Sequence, residues 1–171
     1  TIQSELGQGS CFQFVVCLQP ASANSSENTM SIVMQQSLRT SWQGAHILLA
    51  EDTPTNQDVM KAMLHVLGCD VDIVANGQQA LDVLINSHYD LVLMDCQMPE
   101  MDGFEATTRY REHEKIHRLA RIPIVAVTAS VLSDERAACL ASGMDDVLAK
   151  PFKLKELAAM LERWLKKPLI K

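Results

Sequence analysis

The chain has 171 residues, 47% of them apolar, and a formal net charge of −6. That length holds one ordinary domain with a short extra piece, or two very small ones, and the apolar share suffices for a packed core. The acidic balance and the lack of any Lys/Arg stripe exclude a nucleic-acid surface, and no apolar run approaches the ~20 residues of a membrane span.

No signal peptide opens the chain, and Thr1 in place of Met reads as the start of a fragment of something longer. The five cysteines, Cys11, Cys17, Cys69, Cys96 and Cys139, are odd in number and form no C-x-x-C. They read as reduced thiols in a cytosolic setting.

In chain order, Leu6-Gly7-Gln8-Gly9 predicts a turn and residues 10–18 a strand. From Pro20 to about Gly44 the composition shifts to Ser, Asn, Gln and Thr, which is linker chemistry, with enough apolar content at 32–38 for a helical turn. The main domain begins at 45–46. A strand at 46–50 leads into a helix at 54–67, with Thr53 as N-cap, Pro54 at the first helical position and Gly68 past the end. Val59, Met63, Val66 and Leu67 keep helical spacing and predict its buried side. A strand at 71–75, a helix at 77–87 and a strand at 90–94 follow. Next come a helix from about Phe104 into the charged stretch after Tyr110, a strand at 122–127, a helix at 132–142, a strand at 146–149 and a last helix at 153–166.

Four of the strands are short apolar runs without alternation, the pattern of strands buried on both faces of a parallel sheet. Five βα units in about 120 residues predict an α/β fold, a five-stranded doubly wound sheet with helices on both faces. Parallel strands share one carboxyl edge, where such folds place their sites. At that edge the runs end in Glu51-Asp52, Asp95, Thr128 and Lys150. Three carboxylates so close repel one another and call for a divalent cation, and hard oxygen ligands with free water positions suit Mg²⁺. Metal, lysine and hydroxyl together would neutralise the oxygens of a phosphoryl group in transfer to a carboxylate.

These residues lie in segments that resemble the receiver domains of two-component signalling. Ile47-Leu48-Leu49-Ala50-Glu51-Asp52 resembles that family's acidic-pair strand, and Leu93-Met94-Asp95-Cys96-Gln97-Met98-Pro99-Glu100-Met101-Asp102-Gly103 its phosphoacceptor loop. Val127-Thr128-Ala129 and Ala149-Lys150-Pro151-Phe152 resemble its two remaining corners. The resemblance implies a flavodoxin-like sheet of strand order 2-1-3-4-5 and a cis Lys150-Pro151 bond. It makes Asp95 the acceptor of phosphate from a phosphohistidine, with Thr128 and Lys150 contacting the phosphoryl oxygens. Asp52, Asp95 and the Gln97 carbonyl would bind Mg²⁺, with Glu51 holding a metal-bound water. Asn56, Met60 and Phe152, with help from Met63, would meet the four-helix histidine domains: a kinase dimerisation domain as donor and a histidine phosphotransfer domain as acceptor.

Ser4-Glu5-Leu6-Gly7-Gln8-Gly9-Ser10-Cys11-Phe12 resembles the last glycine box and final strand of a histidine-kinase ATP-binding domain. The order implies a hybrid sensor kinase: residues 1–18 the remnant of the catalytic domain, 19–44 a linker, 45–171 the receiver. The parent would be anchored in the inner membrane, with this piece cytoplasmic and free of membrane contact, a monomer or weak dimer. The remnant alone cannot bind ATP, so the piece catalyses only its own phosphorylation and dephosphorylation. With no effector domain after the last helix, it would pass phosphate onward.

Val147 stands where the family usually carries an aromatic, which predicts a weakened surface switch. Gln97 and Ser130 flank the path of hydrolytic water. Three other readings compete. His113-Glu114-Lys115-Ile116-His117 fits H-E-x-x-H, the zinc-peptidase pattern, with Glu135 as a distant third ligand, but its surroundings read as a solvated charged stretch. A phosphohydrolase of the haloacid dehalogenase type needs an Asp where Gln97 stands. A receiver used only for protein contacts would tend to lose the acidic and basic residues retained here.

Overall fold

The structure is a computed structural model that describes residues 2–5, 9–12, 42–129 and 133–165. It divides into two units, one ending at Ile32 and the other starting at Val33. The first contains an antiparallel hairpin of β1 (Ile2–Glu5) and β2 (Gly9–Phe12), with Ile2 opposite Phe12 and Glu5 opposite Gly9. The sequence pattern predicts only one strand here. Ile2-Gln3-Ser4-Glu5 has a single strong strand former, so its pairing partner rather than its own pattern makes it a strand. The rest of the predicted strand (13–18), the turn at 6–8, most of the linker and the helical turn at 32–38 lie outside the described residues.

The second unit alternates strand and helix throughout: β3 (His46–Ala50), α1 (Pro54–Val66), β4 (Asp70–Val74), α2 (Gly77–Asn86), β5 (Leu91–Asp95), α3 (Gly103–His117), β6 (Ile124–Thr128), α4 (Ser133–Ala141), β7 (Asp146–Ala149) and α5 (Leu154–Trp164). All five strands are parallel, in the order β4-β3-β5-β6-β7. Counted from β3, that is the predicted 2-1-3-4-5. Successive residues of the central strands feed opposite faces. Ile47, Leu49, Leu91, Leu93, Val125 and Val127 pack with Leu64 of α1 and Leu157 and Leu161 of α5. Leu48, Ala50, Val92, Met94, Ile124 and Ala126 pack with Ala80 and Leu84 of α2, Tyr110 of α3 and Cys139 of α4. Each fully buried Leu or Ile contributes about 1.5–3 kcal/mol.

Several boundaries move for identifiable reasons. β6 begins at Ile124 rather than 122, because Pro123 has no N–H to give the ladder. β4 ends at Val74, since the Ala75 N–H donates to the Gln79 side chain instead. β5 runs one residue further than predicted and takes in Asp95. α1 ends before Gly68, which adopts φ 89°. Thr53 holds the N-cap position of α1 but makes no capping bond; its hydroxyl donates to Asp52 Oδ1 at 3.2 Å.

Three packing predictions are corrected. Val59 is 51% exposed, while Met60 and Leu64, spaced i, i+4, form the buried face of α1; Leu67, of the predicted set, is buried just past its end. Trp42, in a Ser- and Gln-rich context that reads as linker, is buried in the core, so this unit's packing starts before residue 45. The charged stretch after Tyr110 is only partly solvated: Arg111 donates to Glu114 and Asp145, and Glu114 also accepts the Ile122 N–H. Cys69, Cys96 and Cys139 are buried free thiols, with the Cys96 and Cys139 sulfurs 3.7 Å apart. No described helix is long and apolar enough to cross a membrane.

Candidate functional site

The carboxyl edge of the sheet assembles the site. Asp95 is the last residue of the central strand β5, Glu51 and Asp52 follow β3, Thr128 ends β6 and Lys150 follows β7. Parallel register sets Ala50 beside Met94 and Asp95 beside Val127, so residues far apart in sequence arrive at one level.

Lys150 is the hub. Its ammonium donates to Glu51 Oε2 and to Asp95 Oδ2, each at 2.6 Å. Asn56, in the first turn of α1, donates to Glu51 Oε1 at 2.8 Å, and Gln57 donates to the Glu51 carbonyl at 2.6 Å. The other Asp95 oxygen accepts the Gln97 N–H at 3.1 Å. Burial works to raise the Glu51 carboxyl, but Lys150 and Asn56 outweigh it and hold the group below its ordinary value. At Asp95 burial prevails: the carboxyl is raised, with Lys150 and the Gln97 N–H offsetting part and the Glu51 charge adding to it. Burial works against the Lys150 ammonium, yet its two carboxylate partners raise it above its usual value.

One oxygen each of Glu51, Asp52 and Asp95 lie within 4.8 Å of one another, with Asp52 exposed and the other two buried. Among the described residues this is the one group of three metal-capable side chains. A hard, all-oxygen donor set with one exposed member fits Mg²⁺, which keeps several waters. Gln97, two residues past Asp95, lines the same crevice, which encloses about 340 Å³ between Asp95, Gln97, Thr128, Ala129, Glu135 and Lys150.

Glu135 is the residue that sequence reasoning misses as part of this site. Thr128 Oγ1 donates to Glu135 Oε1 at 2.7 Å, so an acid on α4 holds the hydroxyl at the end of β6. Nothing in the spacing announces it, because α4 begins beyond the edge and the contact depends on where that helix lands.

The loop after β5 is built around two tight spots. Glu100 takes φ 67°, and its carboxylate accepts from Asn76, the capping residue of α2. A Cβ on Gly103 would stand 2.1 Å from the Asp95 carbonyl oxygen, so only glycine lets α3 start against the strand end. Lys150-Pro151 is cis, as the resemblance implies. Val147 is half-buried against the layer that contains Tyr110. Ser130 lies outside the described residues.

The predicted docking residues gather, with changed parts. Asn56, Val59, Met60, Met63, Lys150, Pro151 and Phe152 line a shallow, mostly apolar groove of about 180 Å³. Met60 is 3% exposed and forms its floor, whereas Val59 supplies the open apolar surface. Asn56 faces Glu51 as well as the groove.

The zinc-peptidase reading fails on geometry. Glu114, its required base, is buried and bonded to Arg111 and Ile122, while Glu135 belongs to the crevice at the opposite edge of the sheet. The phosphohydrolase reading lacks its second acid, since Gln97 offers only an amide and its backbone.

A five-stranded parallel sheet with an acidic trio and a lysine at its carboxyl edge defines a doubly wound α/β protein with an acidic site. The response regulator receiver domain model matches residues 47–162, and the chain belongs to that family. Hybrid signal transduction histidine kinase L of Dictyostelium discoideum is 37% identical over 121 residues, 69% of this chain and 7% of that protein. Histidine kinase 1 of Arabidopsis thaliana is 41% identical over 154 residues, covering 71% of this chain and 13% of that protein. The chain thus spans a small part of these relatives. Among solved structures, the receiver domain of a sensor histidine kinase from Pseudomonas aeruginosa, with a magnesium ion coordinated in its active site cleft, is 48% identical with a TM-score of 0.65. It covers 71% of this chain and 97% of that one. A complex of a Saccharomyces cerevisiae histidine phosphotransfer protein with the receiver domain of its downstream response regulator matches at 29% identity and TM-score 0.69, covering 72% and 90%.

Proposed function

We propose that this chain is a phosphorelay receiver from a hybrid sensor kinase. It accepts a phosphoryl group from a phosphohistidine onto Asp95 and passes it to the histidine of a phosphotransfer domain. The observation that supports this most is the Lys150 ammonium shared between Asp95 and Glu51 at the edge where Asp52 and Thr128 also lie. One Asp95 carboxylate oxygen attacks phosphorus in line with the departing imidazole nitrogen; a P–O bond forms as the P–N bond breaks. Lys150 exchanges its bond to Asp95 for one to a phosphoryl oxygen, and Thr128 donates its hydroxyl to another. Asp52, Asp95 and the Gln97 carbonyl would hold Mg²⁺, with Glu51 acting through a water. When bound, the ion neutralises charge on the transferring group.

The groove of Val59, Met60, Met63 and Phe152 lies beside Lys150 and offers a histidine-bearing helix an apolar seat next to the acceptor. The yeast complex, a receiver domain seated on a phosphotransfer protein, supports that partner class, and the Pseudomonas receiver supports the ion. The strand β2 supports reading residues 1–18 as the tail of a kinase ATP-binding domain, whose final strand is expected there.

Incubation with Mg²⁺ and a small acyl phosphate adds one phosphoryl group per chain, read by intact mass. Chelation of the ion or Asp95→Asn abolishes it, and a phosphotransfer domain added afterwards takes the label onto histidine. Incorporation that survives Asp95→Asn overturns the assignment, and label that never leaves for histidine overturns the relay.

A further inference from the structure

The H-E-x-x-H segment keeps its two imidazoles even though its glutamate belongs to the core. His113 and His117 stand one turn apart at the C-terminal end of α3, with ring centroids 4.1 Å apart and planes tilted by 33°. His117 Nδ1 lies 3.0 Å from the His113 carbonyl oxygen. A carbonyl only accepts, so Nδ1 carries the hydrogen and, in the neutral ring, Nε2 keeps its lone pair. Ligating histidines are commonly held this way, one ring nitrogen tied to a carbonyl and the other presented to a metal.

The surroundings favour a cation. The last carbonyls of a helix carry partial negative charge, and His117 sits on the last turn of α3 with His113 one turn before it. Both line a cavity of about 600 Å³ shared with His88, Tyr89, Tyr110 and Arg121. Arg121 is bonded to Asp145, and Arg111 to both Asp145 and Glu114, so two guanidiniums meet two carboxylates.

We propose that His113 and His117 chelate a borderline-soft divalent ion of the Zn²⁺ class, with water completing the shell. Imidazole nitrogens select such an ion over Mg²⁺, so the site is chemically distinct from the acidic crevice. With Glu114 engaged by Arg111 and the Ile122 N–H, the base that the H-E-x-x-H pattern requires is withheld from the metal. The ion therefore fastens the end of α3 and performs no hydrolysis.

The test uses the full chain, free of any affinity tag and stripped of metal, with excess Mg²⁺ present to fill the crevice. ZnCl₂ is titrated while histidine ring signals are followed by ¹H–¹³C NMR. The His113 and His117 signals move together and saturate at one ion per chain, while those of His46 and His65 stay. His113→Ala and His117→Ala each weaken binding about tenfold or more and abolish the rise in melting temperature that Zn²⁺ gives the parent. Equal shifts at all five histidines, shifts confined to the residues around Glu51 and Asp95, or unchanged affinity in both variants overturn the site. Unaltered circular dichroism of the metal-free variants separates loss of a ligand from loss of the fold.

Discussion

Replacing Lys150 by Met keeps the aliphatic stem and removes the charge that Glu51 and Asp95 share. Each of the two contacts at 2.6 Å is worth about 6 kcal/mol gross at an effective dielectric near 20. Dehydration of the three groups cancels most of that, and removing one partner of a buried pair typically costs about 3–5 kcal/mol. The Lys150 side chain is 21% exposed, which places the loss near the lower end, about 3 kcal/mol in chelator. A divalent ion supplies the missing positive charge to the same oxygens. Because the Lys150 ammonium competes with the ion for these oxygens, the variant should bind Mg²⁺ roughly thirtyfold more tightly than the parent, which at saturation returns about 2 kcal/mol of the loss. The assay is urea unfolding followed by the fluorescence of Trp42 and Trp164, both packed on the core face shared with α5. The deficit of Lys150→Met should shrink from about 3 kcal/mol in chelator to about 1 kcal/mol or less in saturating Mg²⁺. A deficit of equal size in both buffers refutes the idea that lysine and ion serve the same charges.

Asp95→Asn should stabilise the metal-free chain at neutral pH. The Asp95 carboxyl is raised by burial, so its contribution to stability is complete below the unfolded value near 3.9 and lost as pH rises through the folded value. The urea midpoint of the variant should therefore rise above that of the parent from about pH 4 upward, with the two coinciding at lower pH. Arg111→Ala strips Glu114 and Asp145 of a buried partner and should cost about 3–5 kcal/mol. Arg109→Ala, which breaks the exposed pair with Glu105, should stay within about 0.5 kcal/mol; equal losses would contradict the burial argument. Gly103→Ala drives a Cβ into the Asp95 carbonyl and should cost more than about 3 kcal/mol while lowering phosphoryl incorporation, whereas Gly44→Ala, where a Cβ meets nothing within 4 Å, should leave incorporation intact.

The crevice was legible because its residues terminate strands. An unbroken apolar run such as Leu91–Asp95 announces a doubly buried strand, and parallel direction then brings the polar ends of β3, β5, β6 and β7 to one edge. What escaped depends on packing that no local pattern encodes. Val59 and Met60 are both apolar neighbours on α1, and only the approach angle to the sheet decides that Met60 turns inward. Arg111 and Glu114 look like a solvated helix face until Asp145, from the turn before β7, closes over them. Trp42 has no apolar neighbours in sequence to mark it as core. Glu135 is one acid among several on a weakly patterned helix, and its role exists only through the hydroxyl it faces.

That contact between Thr128 and Glu135 joins elements of unequal local stability. Apart from Glu135, each residue lining the crevice lies at a strand end or within two residues of one. The strands that carry these positions form the central sheet, whose amides should exchange with solvent only through near-global opening. Glu135 alone rides on α4, a helix of nine residues at the flank of the sheet. Amide exchange along α4 thus becomes a reporter of the Thr128 hydroxyl. While the hydroxyl is donated to Glu135, α4 borrows protection from β6; when another acceptor takes that hydrogen, α4 exchanges faster and β6 does not.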